Sequence, residues 1–337
     1  MSLTRRNQIV PQMADYDNIG DQWVPYLMRF DRPGRLFPSV STDTWGFRNS
    51  IDRQGKILNH PISASMPSGD QSIGVVLGSS AVFGVGASHD RFTIPSKLNS
   101  TSDTQWLNYG GRAFNSTQEL LLLQLFLPQH LQKIVVFSGV NNLTLACLSR
   151  KPSPVYNSFF AQSSFERAMI NNTDAYVGVR KAFSRLVDEM HHRIFPSASE
   201  AVLGEIGAGY QDVLTCFRRD MRILKALADG LSASLCFALQ PLATWLDKPF
   251  SEEESNIFRI LDELSGDWRV LASFIGAQKD RYFKDVEHIC YDLDIPFCNM
   301  NQATEFNTYE WLFVDRVHLT DRGNEIVANI LIREFAL

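Results

Sequence analysis

Long hydrophobic runs are missing from this sequence. The stretch "LLLLQLFL", Leu120 to Leu127, is far short of the ~20 apolar residues a helix needs to span a bilayer, so no membrane span is expected. An excess of positive charge is also missing. Lys and Arg total 32 against 37 Asp and Glu, for a net charge of −5, which leaves no basic footprint for nucleic acid. Cysteine is sparse: there are five, an odd number without CxxC spacing. They read as reduced thiols, which argues against a disulfide scaffold or zinc site. Histidine is scarce as well, and no His or Cys pair has ligand spacing; His191 and His192 are adjacent and diverge on a helix. Neither a metal nor a cofactor is expected. The first residues, "MSLTRRNQIVPQMADYDN", carry two arginines with no apolar segment behind them, so no secretory leader is expected. With the cysteine usage, this makes a cytoplasmic location the expectation.

What the chain does have is length and apolar content. Its 337 residues, 45% hydrophobic, suffice for a sizeable core in one large domain or two average ones. Residues 1 to about 70 are irregular and are expected to wrap the main domain as an N-terminal extension. Within them "DTWGFRNS", Asp43 to Ser50, reads as a packed surface loop.

From Gln71 strands and helices alternate. "SIGVVLG", "TQWLNYG", "KIVVFSG", "SLCFALQP" and "IPFCNM" read as strands, and "TQELLLLQLFL" and "TDRGNEIVANILIREF" as helices. The alternation implies βαβ units and a parallel sheet. One interval is out of proportion. About 95 residues separate Gly139 from Ser234, where a βαβ crossover takes about 30. The excess, about residues 150 to 231, is helical in character and reads as an insertion at the carboxyl edge of the sheet. It could serve as a lid or bind an acceptor, or be purely structural or dimerising.

Four strand-end motifs follow one another, each weak alone. "VVLGSSAVFGVG" stops a buried strand at Ser79 and Ser80 and turns glycine-rich, the setting in which an α/β protein can present a nucleophile. "LNYGGRAF" places Asn108, Gly110 and Gly111 at a turn whose backbone N–H groups could receive an anion. "SGVNN" projects the neutral Asn141 amide, a donor suited to an oxyanion hole or simply a turn former. "DRVH" sets Asp315 three residues before His318, ahead of a helix with Thr320 or Asp321 as N-cap. That spacing lets the acid bond one ring nitrogen and leaves the other to accept a proton.

Taken in order, Gly-x-Ser, Asn-x-Gly, Gly-x-Asn and Asp-x-x-His, the motifs resemble the four blocks of the SGNH (GDSL-type) hydrolase superfamily. The resemblance covers roughly residues 71–145 and 230–335. It implies a flavodoxin-like three-layer α/β/α fold with a central parallel sheet, in a domain spanning 71–337. It also implies a Ser-His-Asp triad of Ser80, His318 and Asp315, with Ser80 chosen over Ser79 because Gly84 stands four residues after it. The oxyanion hole would comprise the Ser80 N–H, the Asn141 amide and the N–H at Ala113. There the family has glycine, and alanine serves if its φ is negative. Ser79 and Asn142 replace acidic residues of the family pattern, which puts substrate preference in question. The "WGFR" segment resembles stretches that precede the first block in longer bacterial relatives. The activity implied is that of a serine esterase on a small-molecule or carbohydrate ester. An O-acyltransferase is the alternative, and an inactive binding protein of the same fold the third reading. Oligomeric state is left open.

Overall fold

Each of the five apolar runs contains a strand: β1 (Ile73–Gly78), β2 (Gln105–Gly110), β3 (Leu131–Ser138), β4 (Ser234–Leu239) and β5 (Phe297–Asn299). The computed structural model describes residues 2–58, 72–148, 155, 159–160, 209–264 and 267–337. All five strands are parallel, in the order β2-β1-β3-β4-β5. This is the flavodoxin-like doubly wound order, in which the connections reverse direction between β1 and β3. The crevice at the carboxyl ends there is where such sheets bind ligands.

The strands are apolar on both faces because both faces are covered. Side chains alternate along a strand, and they divide accordingly. Val75, Leu77, Ile134, Val136, Phe237 and Leu239 enter one core, whereas Val76, Val135, Phe137, Cys236 and Ala238 enter the other. Burying one such aliphatic or aromatic side chain contributes roughly 1.5–3 kcal/mol. The two cores therefore outweigh the exposed ion pairs, each worth at most about 1 kcal/mol.

The helices run in chain order. They are α1 (Ser2–Ile9), α2 (Met13–Asn18), α3 (Ser80–Phe83), α4 (Ile94–Thr101), α5 (Ser116–Leu125) and α6 (Val140–Leu148). After these come α7 (Tyr210–Gly230), α8 (Glu252–Leu264), α9 (Asp267–Ala277), α10 (Lys279–Asp292) and α11 (Asp321–Phe335). Residues of α5, α6, α7, α9 and α10 cover the first core; those of α3, α4, α8 and α11 cover the second. The chain is thus a three-layer α/β/α fold. Thr320, not Asp321, caps α11, its hydroxyl accepting from the Gly323 N–H.

The sequence reading changes at two points. Residues 210–230, expected within the insertion, form α7, which packs on α5, α6 and β4 as a sheet-covering crossover helix. The rest of that insertion lies almost wholly outside the described residues. "DTWGFRNS" is a surface loop only in its first half: Thr44 and Trp45 are exposed, whereas Phe47, Arg48, Asn49 and Ser50 are buried. The N-terminal segment lies against the sheet layers. Asp21 and Asp31 pair with Arg112 of the β2–α5 loop, and Gln118 of α5 donates to the Leu27 carbonyl at 2.7 Å.

Candidate active site

The turn that carries Ser79 and Ser80 begins where β1 runs out of room for side chains. A Cβ on Gly78 would lie 2.2 Å from the Phe137 carbonyl oxygen, so only glycine lets the chain leave the sheet there. Ser79 follows as the N-cap of α3 and Ser80 as its first residue. The two serines have different surroundings. Ser79 is 1% exposed, while Ser80 is only partly buried and its Oγ lies 2.8 Å from His318 Nε2.

His318 is delivered by a tight hairpin. Phe313 and Leu319 form a bridge, and the Val314 N–H donates to the His318 carbonyl at 2.9 Å. Asp315 fixes both the loop and the ring. Its Oδ1 accepts from the Val317 and His318 N–H groups at 2.8 and 2.7 Å, and its Oδ2 lies 2.6 Å from His318 Nδ1. Burial disfavours charge on Asp315, but the facing His318 and these hydrogen bonds prevail, so its carboxyl sits below the usual carboxylate range. Arg316, between them, turns the other way. It packs over the Phe258 ring and bonds Asp262 at 2.7 Å, lining a groove of about 510 Å³.

Sequence reasoning missed what holds this hairpin up. Glu254 is fully buried; its Oε1 accepts from the Leu312 and Phe313 N–H groups at 3.0 and 3.1 Å, and its Oε2 meets Lys248 Nζ at 2.6 Å. The signal was present as Ser251-x-x-Glu254, a capping box in which each side chain meets the other's N–H.

The β2–α5 loop and the start of α6 bring Ala113 and Asn141 to the carboxyl ends of the strands flanking β1. Asn141 Nδ2 donates to the Phe114 carbonyl at 2.7 Å, which ties the loop to the helix and leaves its second amide hydrogen for another acceptor. Two expectations for the Ala113 loop fail. The Gly110 and Gly111 N–H groups are used internally, by Asn108 Oδ1 and the Gly78 carbonyl, both at 3.0 Å. Ala113 does not meet the condition of a negative φ under which alanine would serve in place of glycine. Its φ is +64°, a left-handed conformation that disfavours a Cβ by about 1–2 kcal/mol. Among the described residues nothing accepts from its N–H.

Asn142 has a structural reason to be neutral. Its Oδ1 accepts from the Ser116 N–H at 3.1 Å and its Nδ2 donates to Ser116 Oγ at 2.8 Å. The Ser116 hydroxyl hydrogen already goes to Asp220 at 2.7 Å. A carboxylate at 142 would face an oxygen with no hydrogen left to offer, near a second buried carboxylate. Asn142→Asp is expected to destabilise by about 1–3 kcal/mol at pH 7. The new carboxyl would have a raised folded-state pKa, so the deficit grows as pH rises and shrinks toward pH 5, where the protonated acid donates as the amide did. Urea denaturation at pH 5 and 7 checks the sign.

Among the described residues no cluster of three or more His, Cys, Asp or Glu could hold a metal ion, and no helix is long and apolar enough to cross a membrane. No protein-family model and no curated protein matches the sequence. Solved structures do. The chain is similar to an extracellular lipase from Streptomyces rimosus, at 13% identity and a TM-score of 0.45 over 78% of this chain and 99% of that one. A protein assigned as an acylhydrolase from Bacteroides fragilis aligns at 13% identity and 0.35, over 80% and 89% of the two chains. One assigned as a GDSL-like lipase from Bacteroides ovatus aligns at 11% and 0.37, over 79% of this chain and 54% of that one. These scores are modest, and the case for the site rests on its own geometry.

Proposed function

We propose that the chain is a serine esterase acting through an acyl-enzyme. The observation that carries the reading is the unbroken relay from Asp315 through His318 to a partly exposed Ser80, with both contacts at 2.6–2.8 Å. Serine is a weak nucleophile at neutral pH and needs an adjacent base. Neutral His318 accepts the Ser80 proton as Oγ attacks the ester carbonyl. Asp315 orients the ring and stabilises the imidazolium. Negative charge on the carbonyl oxygen is met by the Ser80 N–H at the start of α3 and by the Asn141 amide; the Ala113 N–H is not counted, since its φ is positive. Each such donor is worth about 10²–10³ in kcat. The alcohol leaves with the proton from His318, and water then releases the acid by the same steps. The lipase and acylhydrolase names of the structural neighbours agree with an ester substrate; a small-molecule or carbohydrate ester is the expected class.

The test is covalent labelling followed by product analysis. A fluorophosphonate is expected to modify Ser80, its Oγ forming the bond to phosphorus as fluoride departs and His318 takes the proton. A protein that stays unlabelled at Ser80 is a binding protein, not this enzyme. Ester turnover in the presence of sugar or amine acceptors then distinguishes the free acid of an esterase from the new ester or amide of an acyltransferase.

A further inference from the structure

Helix α3 has only four residues, so most of its carbonyls lack an intrahelical partner and it cannot hold its own shape. What satisfies them comes from elsewhere in the chain. The Val82 carbonyl accepts from Asn108 Nδ2 at 2.8 Å. The Phe83 and Gly84 carbonyls accept from Arg48 Nη1 at 3.1 and 2.7 Å. Tyr16 Oη lies 2.8 Å from the Gly84 carbonyl and 2.7 Å from that of Ala87, and itself accepts from Arg48 at 2.6 Å.

Arg48 is fully buried, and every nitrogen of its guanidinium is used. Nε pairs with Asp90 at 2.9 Å and Nη2 donates to the Ser39 carbonyl at 2.7 Å. Asp90 is in turn held by the Ser41 N–H and hydroxyl. Gly84 has φ +84°, and a Cβ there would sit 2.7 Å from Thr93 Cγ2 and 3.2 Å from Arg48 Nη1. Thus the glycine that marks the end of the nucleophile turn also admits the arginine. Burial pushes the Tyr16 phenol up to about 12, so it stays a neutral donor. A buried ion pair is seldom the most stable filling for such a space. Its specific effect here is to clamp the carbonyls that follow Ser80 by three and four residues.

Given the Ser80 nucleophile proposed above, we infer that Arg48 and Tyr16 of the N-terminal segment are positioning residues that hold Ser80 at hydrogen-bond distance from His318. They act through the backbone of α3 and touch no reacting atom. Misplacing a nucleophile by about 1 Å lowers the chemical rate about 10²-fold without altering how a ligand first binds.

The experiment is fluorophosphonate inactivation of the full chain, resolved into the reversible binding constant KI and the covalent rate kinact. Two conservative variants are compared with wild type well below their own unfolding midpoints. Tyr16→Phe removes one hydroxyl at constant volume; Arg48→Lys keeps the charge and loses the fork. For Arg48→Lys we expect kinact about 10²-fold lower, and for Tyr16→Phe about 10-fold lower, each with KI unchanged. Unchanged kinact in both folded variants overturns the inference. So does a rise in KI alone, or labelling that falls only in proportion to unfolded protein. Wild type that is not labelled at Ser80 removes the triad itself, an outcome distinct from a labelled wild type with unaffected variants.

Discussion

Ser80→Ala is expected to lower ester turnover at least about 10³-fold while leaving stability almost untouched. The loss is large because, among the described residues, no other hydroxyl is placed against His318 Nε2 to substitute. Ser79, one residue earlier, is 1% exposed on the buried side of the turn, whereas Ser80 Oγ is the group hydrogen-bonded to His318 Nε2. The fold is spared because alanine is the best helix former and Ser80 is the first residue of α3. What remains would come from ester binding and the oxyanion donors. A panel from acetyl to long-chain esters with sugar and aryl leaving groups checks this; equal rates in both proteins would sink the enzymatic reading.

Asp315→Asn is expected to lower kcat by about 10⁴. The new side chain has two ways to lie, and both fail. With its oxygen kept on the Val317 and His318 N–H groups, its NH₂ faces His318 Nδ1. The ring must then accept there and carry its hydrogen on Nε2, where a base for Ser80 is needed. Flipped over, the oxygen serves the ring, but the NH₂ opposes two backbone donors that Oδ1 now satisfies at 2.8 and 2.7 Å. Stability should respond to pH as well. Because the Asp315 carboxyl is held below its ordinary value, its contribution is fully present above the ordinary range near ~4. It is lost as pH falls through the lower folded-state value. The stability gap between wild type and Asp315→Asn should therefore be complete at neutral pH and close only in acid. Full activity in a folded Asp315→Asn protein would show that His318 does not depend on its acid partner.

Much of the fold was legible because a parallel sheet covered on both faces makes its strands nearly continuous apolar runs, as in "GVVLG" and "KIVVF". The site was legible in part because its residues lie where those runs stop. Asp315 and His318 were readable as a pair, since three residues on a turn let one side chain serve both a ring and two N–H groups. Ala113 was readable as a position but not as a conformation. Nothing in "GGRAF" announces a φ of +64° on the alanine when two glycines stand beside it.

The sequence alone determined the strands, their order of motifs and the candidate Ser, His and Asp, because these depend on local patterns of side chains. The tertiary structure decided what no local pattern encodes. It left Ser80 partly exposed and Ser79 buried, in line with the choice already read from Gly84, made Asn142 a partner of Ser116, and placed Arg48 and Tyr16 on the carbonyls of the turn after β1. The reason is physical. A buried hydrogen bond is set by the directions in which distant backbones approach one another, and those directions exist only once the layers have packed.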